Sequence, residues 1–133
     1  MDFLHLGESG AAGEAQAAYL PAGYMPEIAW RITAYRELAE LQSRAEWENL
    51  RKRWKDRFGH WEEVTELLLM YHRVRIEANL VKLSSIETKA DKLMMLRNGD
   101  YVMMGGRFPR LTKTPAKARL LEIEKWILSL KTG

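Results

Sequence analysis

The sequence contains no cysteine, and this absence removes two classes of structure at once. Without thiols there is no disulfide framework and no thiolate to bind a metal or carry redox chemistry. No stretch approaches the roughly 20 apolar residues that a membrane-spanning helix needs. The first residues also lack the basic start and apolar core of a secretory signal. These absences lead us to expect a cytoplasmic protein that makes no membrane contact.

Groups suited to metal binding or catalysis are equally sparse. His5, His60 and His72 are scattered, and none has a second histidine at ligand spacing, whereas a zinc site needs three or four ligands. The stretch Gly105–Arg107 lacks the lysine and the serine or threonine of a phosphate-binding loop. The glutamates that open the third predicted helix are explained by the helix dipole. We therefore predict no catalytic residues, no metal and no cofactor.

The length of 133 residues suits one domain. Residues 1–18 are rich in glycine, alanine and glutamate, and we predict that they form a flexible lead or the remnant of a linker. Residues 19–133 should then form the single domain. The net charge of +3 hides an asymmetry, because residues 1–81 sum to −3 and residues 82–133 to +6. Such a two-signed molecule is typical of docking onto another protein surface.

Three helices are predicted in the first part of the domain. Pro26 opens the first, where its missing N–H costs nothing. Ser43 and Glu46 form a capping box for the second, and Gly59 ends it. The break before the third helix is so short that the second and third must be neighbours. The apolar positions at helical spacing are Ile28, Ile32, Tyr35, Leu38 and Ala39, then Trp47, Leu50, Trp54 and Phe58, then Val64, Leu67, Leu68, Tyr71 and Ala78.

A small antiparallel sheet should follow. The sequence predicts strands over Val81–Thr88, Lys92–Arg97 and Asp100–Met104, and the last two are joined by Asn98-Gly99, a favoured two-residue turn. The turn places Arg97 opposite Asp100, Leu96 opposite Tyr101 and Met94 opposite Met103. Pro109 limits any further strand to an edge.

A final helix begins at Thr114-Pro115, and its apolar positions are Leu120, Ile123, Ile127 and Leu130. The predicted fold class is therefore α+β, with three N-terminal helices, a small antiparallel β-sheet containing an Asn-Gly hairpin, and a closing C-terminal helix.

The second helix carries a run of cations, Arg51-Lys52-Arg53 with Lys55 and Arg57, interleaved with tryptophans. At 100° per residue these cations spread around the helix and form no single stripe. Glu48 and Asp56 lie within one helical turn of Lys52, so we expect part of the charge to be paired. Since firm duplex binding needs a more concentrated patch, a solvated helix face is favoured.

Several of these stretches resemble the C-terminal domain of the bacterial transcription-repair coupling factor. They are the entry Leu20–Pro26, the first-helix pattern from Arg31 to Ala39, the turn Asp56-Arg57-Phe58-Gly59, and the helix from Leu68 to Ala78. The likeness extends over Tyr19–Leu130. The sequence departs from the family at Glu62, where a proline is usual, and at Asn98-Gly99, where the family commonly inserts a helix.

The resemblance implies a non-catalytic domain of an ATP-dependent DNA translocase that removes stalled RNA polymerase and recruits the excision-repair protein UvrA. It implies a regulatory role, in which the domain masks the N-terminal UvrA-binding module of the same parent until the translocase engages polymerase and DNA. Asp56 carries over by position, while Arg53 stands where the family often has a carboxylate. The protein interface expected from the resemblance is Lys52, Arg53, Asp56 and Arg57.

Two other functions remain open on the sequence. A stand-alone nucleic-acid-binding module would use the basic C-terminal part, whose cations are Lys82, Lys89, Lys92, Arg107, Arg110, Lys113, Lys117 and Arg119. A small enzyme has less support, because the sequence offers no arrangement of nucleophile and base.

Overall fold

The computed structural model describes residues 1–7 and 15–130. They form four helices, a three-stranded antiparallel sheet and a separate pair of short strands, which confirms the α+β class. The helices are α1 (Ile28–Glu40), α2 (Arg44–Phe58), α3 (Glu63–Leu80) and α4 (Ala116–Leu130). The strands are β1 (Leu4–Leu6), β2 (Gln16–Ala18), β3 (Leu83–Lys89), β4 (Lys92–Arg97) and β5 (Asp100–Tyr101).

The ends of α2 are fixed by local sequence. The Ser43 hydroxyl accepts a hydrogen bond of 3.1 Å from the backbone N–H of Glu46. The Glu46 carboxylate accepts one of 2.9 Å from the N–H of Gln42, so the capping box is present with its return bond one residue earlier than expected. At the other end Gly59 has a φ of +86°, which other residues rarely adopt. The helix therefore ends at Phe58.

Helix α3 lies at the centre of the core, because nine of its residues are buried and they surround the helix. Trp47 of α2 donates from its indole N–H to the carbonyl of Leu69, at 2.7 Å. Arg73 of α3 forms hydrogen bonds of 2.7 and 3.0 Å with Glu124 of α4. These contacts fasten α2 and α4 to α3. No helix within the described residues is long and apolar enough to cross a membrane.

Helix α1 buries only part of the predicted apolar stripe. Ile28 is 65% exposed and Ile32 is 55% exposed, whereas Ala34 and Leu38 are buried. The prediction followed the broadest apolar stripe of an isolated helix. In the domain, α1 turns the side carrying the small Ala34 toward the core, since a small side chain permits a close approach of the helices.

The Asn-Gly turn joins β4 to β5. Asn98 has a φ of +53° and Gly99 one of +81°, as a type I′ turn requires. The paired residues are Leu96 with Tyr101 and Arg97 with Asp100. Strand β5 ends at Tyr101, so the predicted pairing of Met94 with Met103 is not part of this ladder.

The N-terminal residues differ from the predicted flexible lead. Strands β1 and β2 pair in parallel, and each buries one side chain in the core, Leu4 and Ala18. The Asp2 carboxylate accepts hydrogen bonds from the Thr88 hydroxyl at 2.6 Å and the Ala90 N–H at 2.9 Å. Few but well-placed contacts therefore hold residues 1–7 and 15–18 against the domain, although the segment has low hydrophobicity. The remainder of the predicted lead lies outside the described residues.

Candidate protein-interaction surface

A groove of about 530 Å³ lies between α1 and α2, and we call it the α1–α2 groove. Trp30, Thr33 and Glu37 line it from α1, and Arg53, Asp56 and Arg57 line it from α2. The buried side chains of Met25 and Trp54 close its inner end. The groove thus combines an apolar base with a charged rim, which is the usual composition of a protein-binding surface.

Arg57 covers the aromatic side of the groove. Its guanidinium carbon lies 4.8 Å from the ring centroid of Trp30 and 4.9 Å from that of Phe58. The two rings are themselves 5.8 Å apart and tilted by 52°. Stacking on two rings restrains the arginine, while its charge stays at the surface.

The charges of the groove are compensated unevenly. Arg53 donates a hydrogen bond of 2.9 Å to the Glu37 carboxylate, so this cation and this anion offset each other. Asp56 forms no ion pair within the described residues. Its carboxylate is therefore available to a cation of a partner.

Three of the four predicted interface residues come together here. Arg53, Asp56 and Arg57 share the α1–α2 groove, whereas Lys52 lines a second groove beside Trp61. The predicted pairing of Lys52 with Glu48 or Asp56 is absent among the described residues, because Glu48 pairs with Arg44 instead, at 3.5 Å.

Sequence reasoning missed the contribution of α1 to the groove. Trp30 and Glu37 both line it, yet they precede the predicted set by at least 22 and 15 residues and lie on another helix. A large aromatic residue off the apolar stripe of α1 was the only available signal. Which helix would lie beside α2 could not be read from local spacing.

The entry segment before α1 closes one end of the site. The Tyr24 hydroxyl donates to the Gly59 carbonyl at 2.9 Å, and the Trp54 carbonyl is 3.2 Å away. Burial raises the pKa of Tyr24 to about 12, so the hydroxyl keeps its proton. The ring also contacts Phe58, at 5.7 Å between centroids. This contact fixes the end of α2, and with it Arg57.

The basic C-terminal part presents fewer free cations than its sequence offers. Arg110 forms a hydrogen bond of 2.6 Å with Asp91. Arg119 donates to the carbonyls of Lys113 and Ala90, at 2.7 and 2.8 Å. Both guanidinium groups are thus engaged within the domain. Their engagement weakens the case for a phosphate-binding patch, since such a patch depends on cations that are free to meet phosphates.

Within residues 1–7 and 15–130, no three His, Asp or Glu side chains are grouped so that they could hold a metal ion. The fold and its groove thus define a small α+β domain with a candidate docking surface.

Comparison with known proteins gives the family. A sequence model of the TRCF domain matches residues 15–101, which is more than half of the chain. The chain therefore belongs to the TRCF domain family, as its residues predicted.

The fold is also known. A crystal structure of the C-terminal domain of transcription-repair coupling factor has a TM-score of 0.69 with this chain at 20% sequence identity. The alignment covers 88% of this chain and 90% of that one. No curated protein matches the sequence.

Proposed function

We propose that this chain is the C-terminal regulatory domain of a transcription-repair coupling factor and that it acts by docking onto a partner without catalysing a reaction. The observation that carries the proposal is the α1–α2 groove, where Asp56 forms no ion pair with any described residue and lies beside the stacked guanidinium of Arg57. Both residues belong to the turn on which the family resemblance rests.

The proposed partner is the N-terminal UvrA-binding module of the same parent protein. Docking masks that module until the parent engages stalled RNA polymerase and DNA, so UvrA, polymerase and DNA are reached only through the parent. Reversible docking of this kind requires a contact of only a few kcal/mol. The binding of a ligand that drives such a switch supplies a free-energy difference on the order of 5 kcal/mol. A groove of modest size, in which the Asp56 carboxylate is unpaired among the described residues, suits a contact of this strength.

The substitution of a carboxylate by Arg53 does not leave the groove with an excess cation. Glu37 on α1 neutralises Arg53 at 2.9 Å. Within residues 1–7 and 15–130, Asp56 then remains without an ion pair, and Arg57 is a cation held on an aromatic surface. We infer that the partner presents a cation to Asp56 and an apolar or acidic group to Arg57.

Isothermal titration of the full chain with the parent's N-terminal module tests the proposal. Asp56→Arg should weaken binding at least about tenfold, a loss of about 1.4 kcal/mol, because it places two like charges in contact. Asp56→Ala should weaken binding less. Glu40→Arg is the matched control, since it changes the net charge equally at an exposed residue of α1 that does not line the groove.

Equal affinity of the wild-type chain and both Asp56 variants would refute the assigned surface. No binding by the wild-type chain would refute the masking role itself. Thermal denaturation of each variant separates a lost contact from a lost fold.

A further inference from the structure

A second groove, of about 410 Å³, lies on α2 and the turn that follows it. Four charged residues of the helix line it, Glu48, Arg51, Lys52 and Lys55, and His60 and Trp61 line it from the turn. We call it the Trp61 groove. It shares no lining residue with the α1–α2 groove, so the two surfaces can be altered separately.

The indole that forms one wall is held firmly. Trp61 donates from its ring N–H to the Glu66 carboxylate at 2.6 Å, and Arg51 donates to the same carboxylate at 2.9 Å. Burial alone would raise the pKa of Glu66, but these two hydrogen bonds and the positive charges of Arg51 and Lys117 together lower it. Arg51 also lies between two indoles, 4.9 Å from the Trp61 ring and 4.7 Å from that of Trp47. The wall is therefore preorganised for a partner.

The groove carries a net positive charge, because only some of its cations are paired with anions. Arg51 is paired with Glu66, and the acidic Glu48 is paired with Arg44. Lys52 and Lys55 are exposed, and neither forms an ion pair within the part of the chain that the structure describes. They lie three residues apart on one helix, which places both ammonium groups on the same side of α2.

From this arrangement we propose that the Trp61 groove binds an acidic segment of a partner protein, with carboxylates meeting Lys52 and Lys55. Carboxylates complement these two ammonium groups, which form no ion pair among the described residues, and the fixed Trp61 side chain keeps the wall of the groove in place. The proposal does not depend on the masking role, since it concerns a groove that shares no lining residue with the α1–α2 groove.

Nucleic acid fits this groove less well. Base stacking needs a free aromatic face, whereas Arg51 stacks on the Trp61 ring and Tyr24 approaches it at 6.3 Å with an interplanar angle of 85°. Two uncompensated lysines would also neutralise few phosphates.

Fluorescence anisotropy with a labelled hexaglutamate peptide at low salt tests the proposal. The wild-type chain should bind the peptide, and added salt should weaken binding because exposed charges are screened. The double substitution Lys52→Glu with Lys55→Glu should weaken binding at least about fivefold, since it reverses the charge of the groove. Lys89→Glu with Lys125→Glu is the matched control, because it changes the net charge equally at two exposed lysines elsewhere.

Because Lys55 is in the last turn of α2, its reversal also removes a favourable interaction with the helix dipole. The milder pair Lys52→Ala with Lys55→Ala keeps the test valid if the charge-reversed protein unfolds, and it should weaken binding in the same direction. An absence of peptide binding, or equal losses in the groove and control variants, would overturn the proposal. Tighter binding of a hexathymidylate oligonucleotide than of hexaglutamate would overturn it in favour of nucleic acid.

Discussion

Arg53 of α2 and Glu37 of α1 form an ion pair of 2.9 Å across the α1–α2 groove. The two side chains are 59% and 35% exposed, so water screens most of their attraction. Pairs of this kind contribute about 0.2–1 kcal/mol. Under the proposed function the pair matters for recognition, because it cancels a cation beside Asp56, which forms no ion pair among the described residues.

A double-mutant cycle on this pair should give a small coupling energy. Arg53→Ala, Glu37→Ala and the double variant, compared by urea unfolding, should couple by less than about 1 kcal/mol. The exchanged variant Arg53→Glu with Glu37→Arg should keep both stability and affinity for the N-terminal module. A coupling energy above about 2 kcal/mol would mean that the ion pair contributes substantially to the stability of the fold.

Replacing Arg57 by lysine should weaken binding to the N-terminal module and leave the stability of the fold unchanged. Arg57→Lys keeps the charge and loses the planar group that stacks on Trp30 and Phe58. We expect affinity for the N-terminal module to fall about two- to fivefold, which corresponds to the roughly 0.5–1 kcal/mol of an exposed cation–π contact. Arg36→Lys, on an exposed part of α1, is the control. Unchanged affinity of Arg57→Lys would show that the stacked guanidinium does not contribute to the binding surface.

The ion pair between Arg73 and Glu124 should behave quite differently. Its side chains are only 14% and 11% exposed, and it joins α3 to α4 through two hydrogen bonds. Glu124→Ala should cost about 3 kcal/mol in urea unfolding, because it leaves a largely buried guanidinium without its partner. Arg73→Met with Glu124→Leu should recover most of that loss. A single-variant loss below about 1 kcal/mol would contradict this account.

His72 should make the domain sensitive to mild acid. Burial lowers its pKa from the usual 6.5 to about 4, and the charge of Arg75 acts in the same direction. The unfolded chain therefore binds the proton more readily, and stability falls as the pH drops from about 6.5 toward 4. The full loss is roughly 3 kcal/mol at about 1.4 kcal/mol per pKa unit.

Urea unfolding at several pH values measures this effect. His72→Gln should flatten the dependence between pH 6.5 and 4, whereas His60→Gln, at an exposed site, should leave it unchanged. If the stability of His72→Gln fell as steeply with pH as that of the wild-type chain, other titrating groups would be responsible for the effect.

Local signals predicted the parts of the fold that depend on neighbouring residues. The capping box at Ser43, the stop at Gly59 and the turn at Asn98-Gly99 each need only a few adjacent residues. The exposed face of α1 could not be predicted this way, because Ile28 and Ile32 satisfy the helical period as well as the buried residues do. Which face turns inward is decided by α3, which is distant in the sequence.

The candidate site divides along the same line. Arg53, Asp56 and Arg57 are neighbours on α2, and the family resemblance predicted them together with Lys52. Trp30 and Glu37 enter only through the packing of α1 on α2. The packing of the α2–α3 turn likewise separates Lys52 from the other three predicted residues, because Lys52 lies on the side that faces Trp61.

The contact of Tyr24 with the end of α2 also bears on the order of folding. Its hydroxyl reaches carbonyls that are 30 and 35 residues further along the chain. Closing so long a loop is slower than forming helices from local contacts, so we expect the entry segment to dock after the rate-limiting step. Tyr24→Phe should then speed unfolding in stopped-flow measurements and leave the refolding rate nearly unchanged.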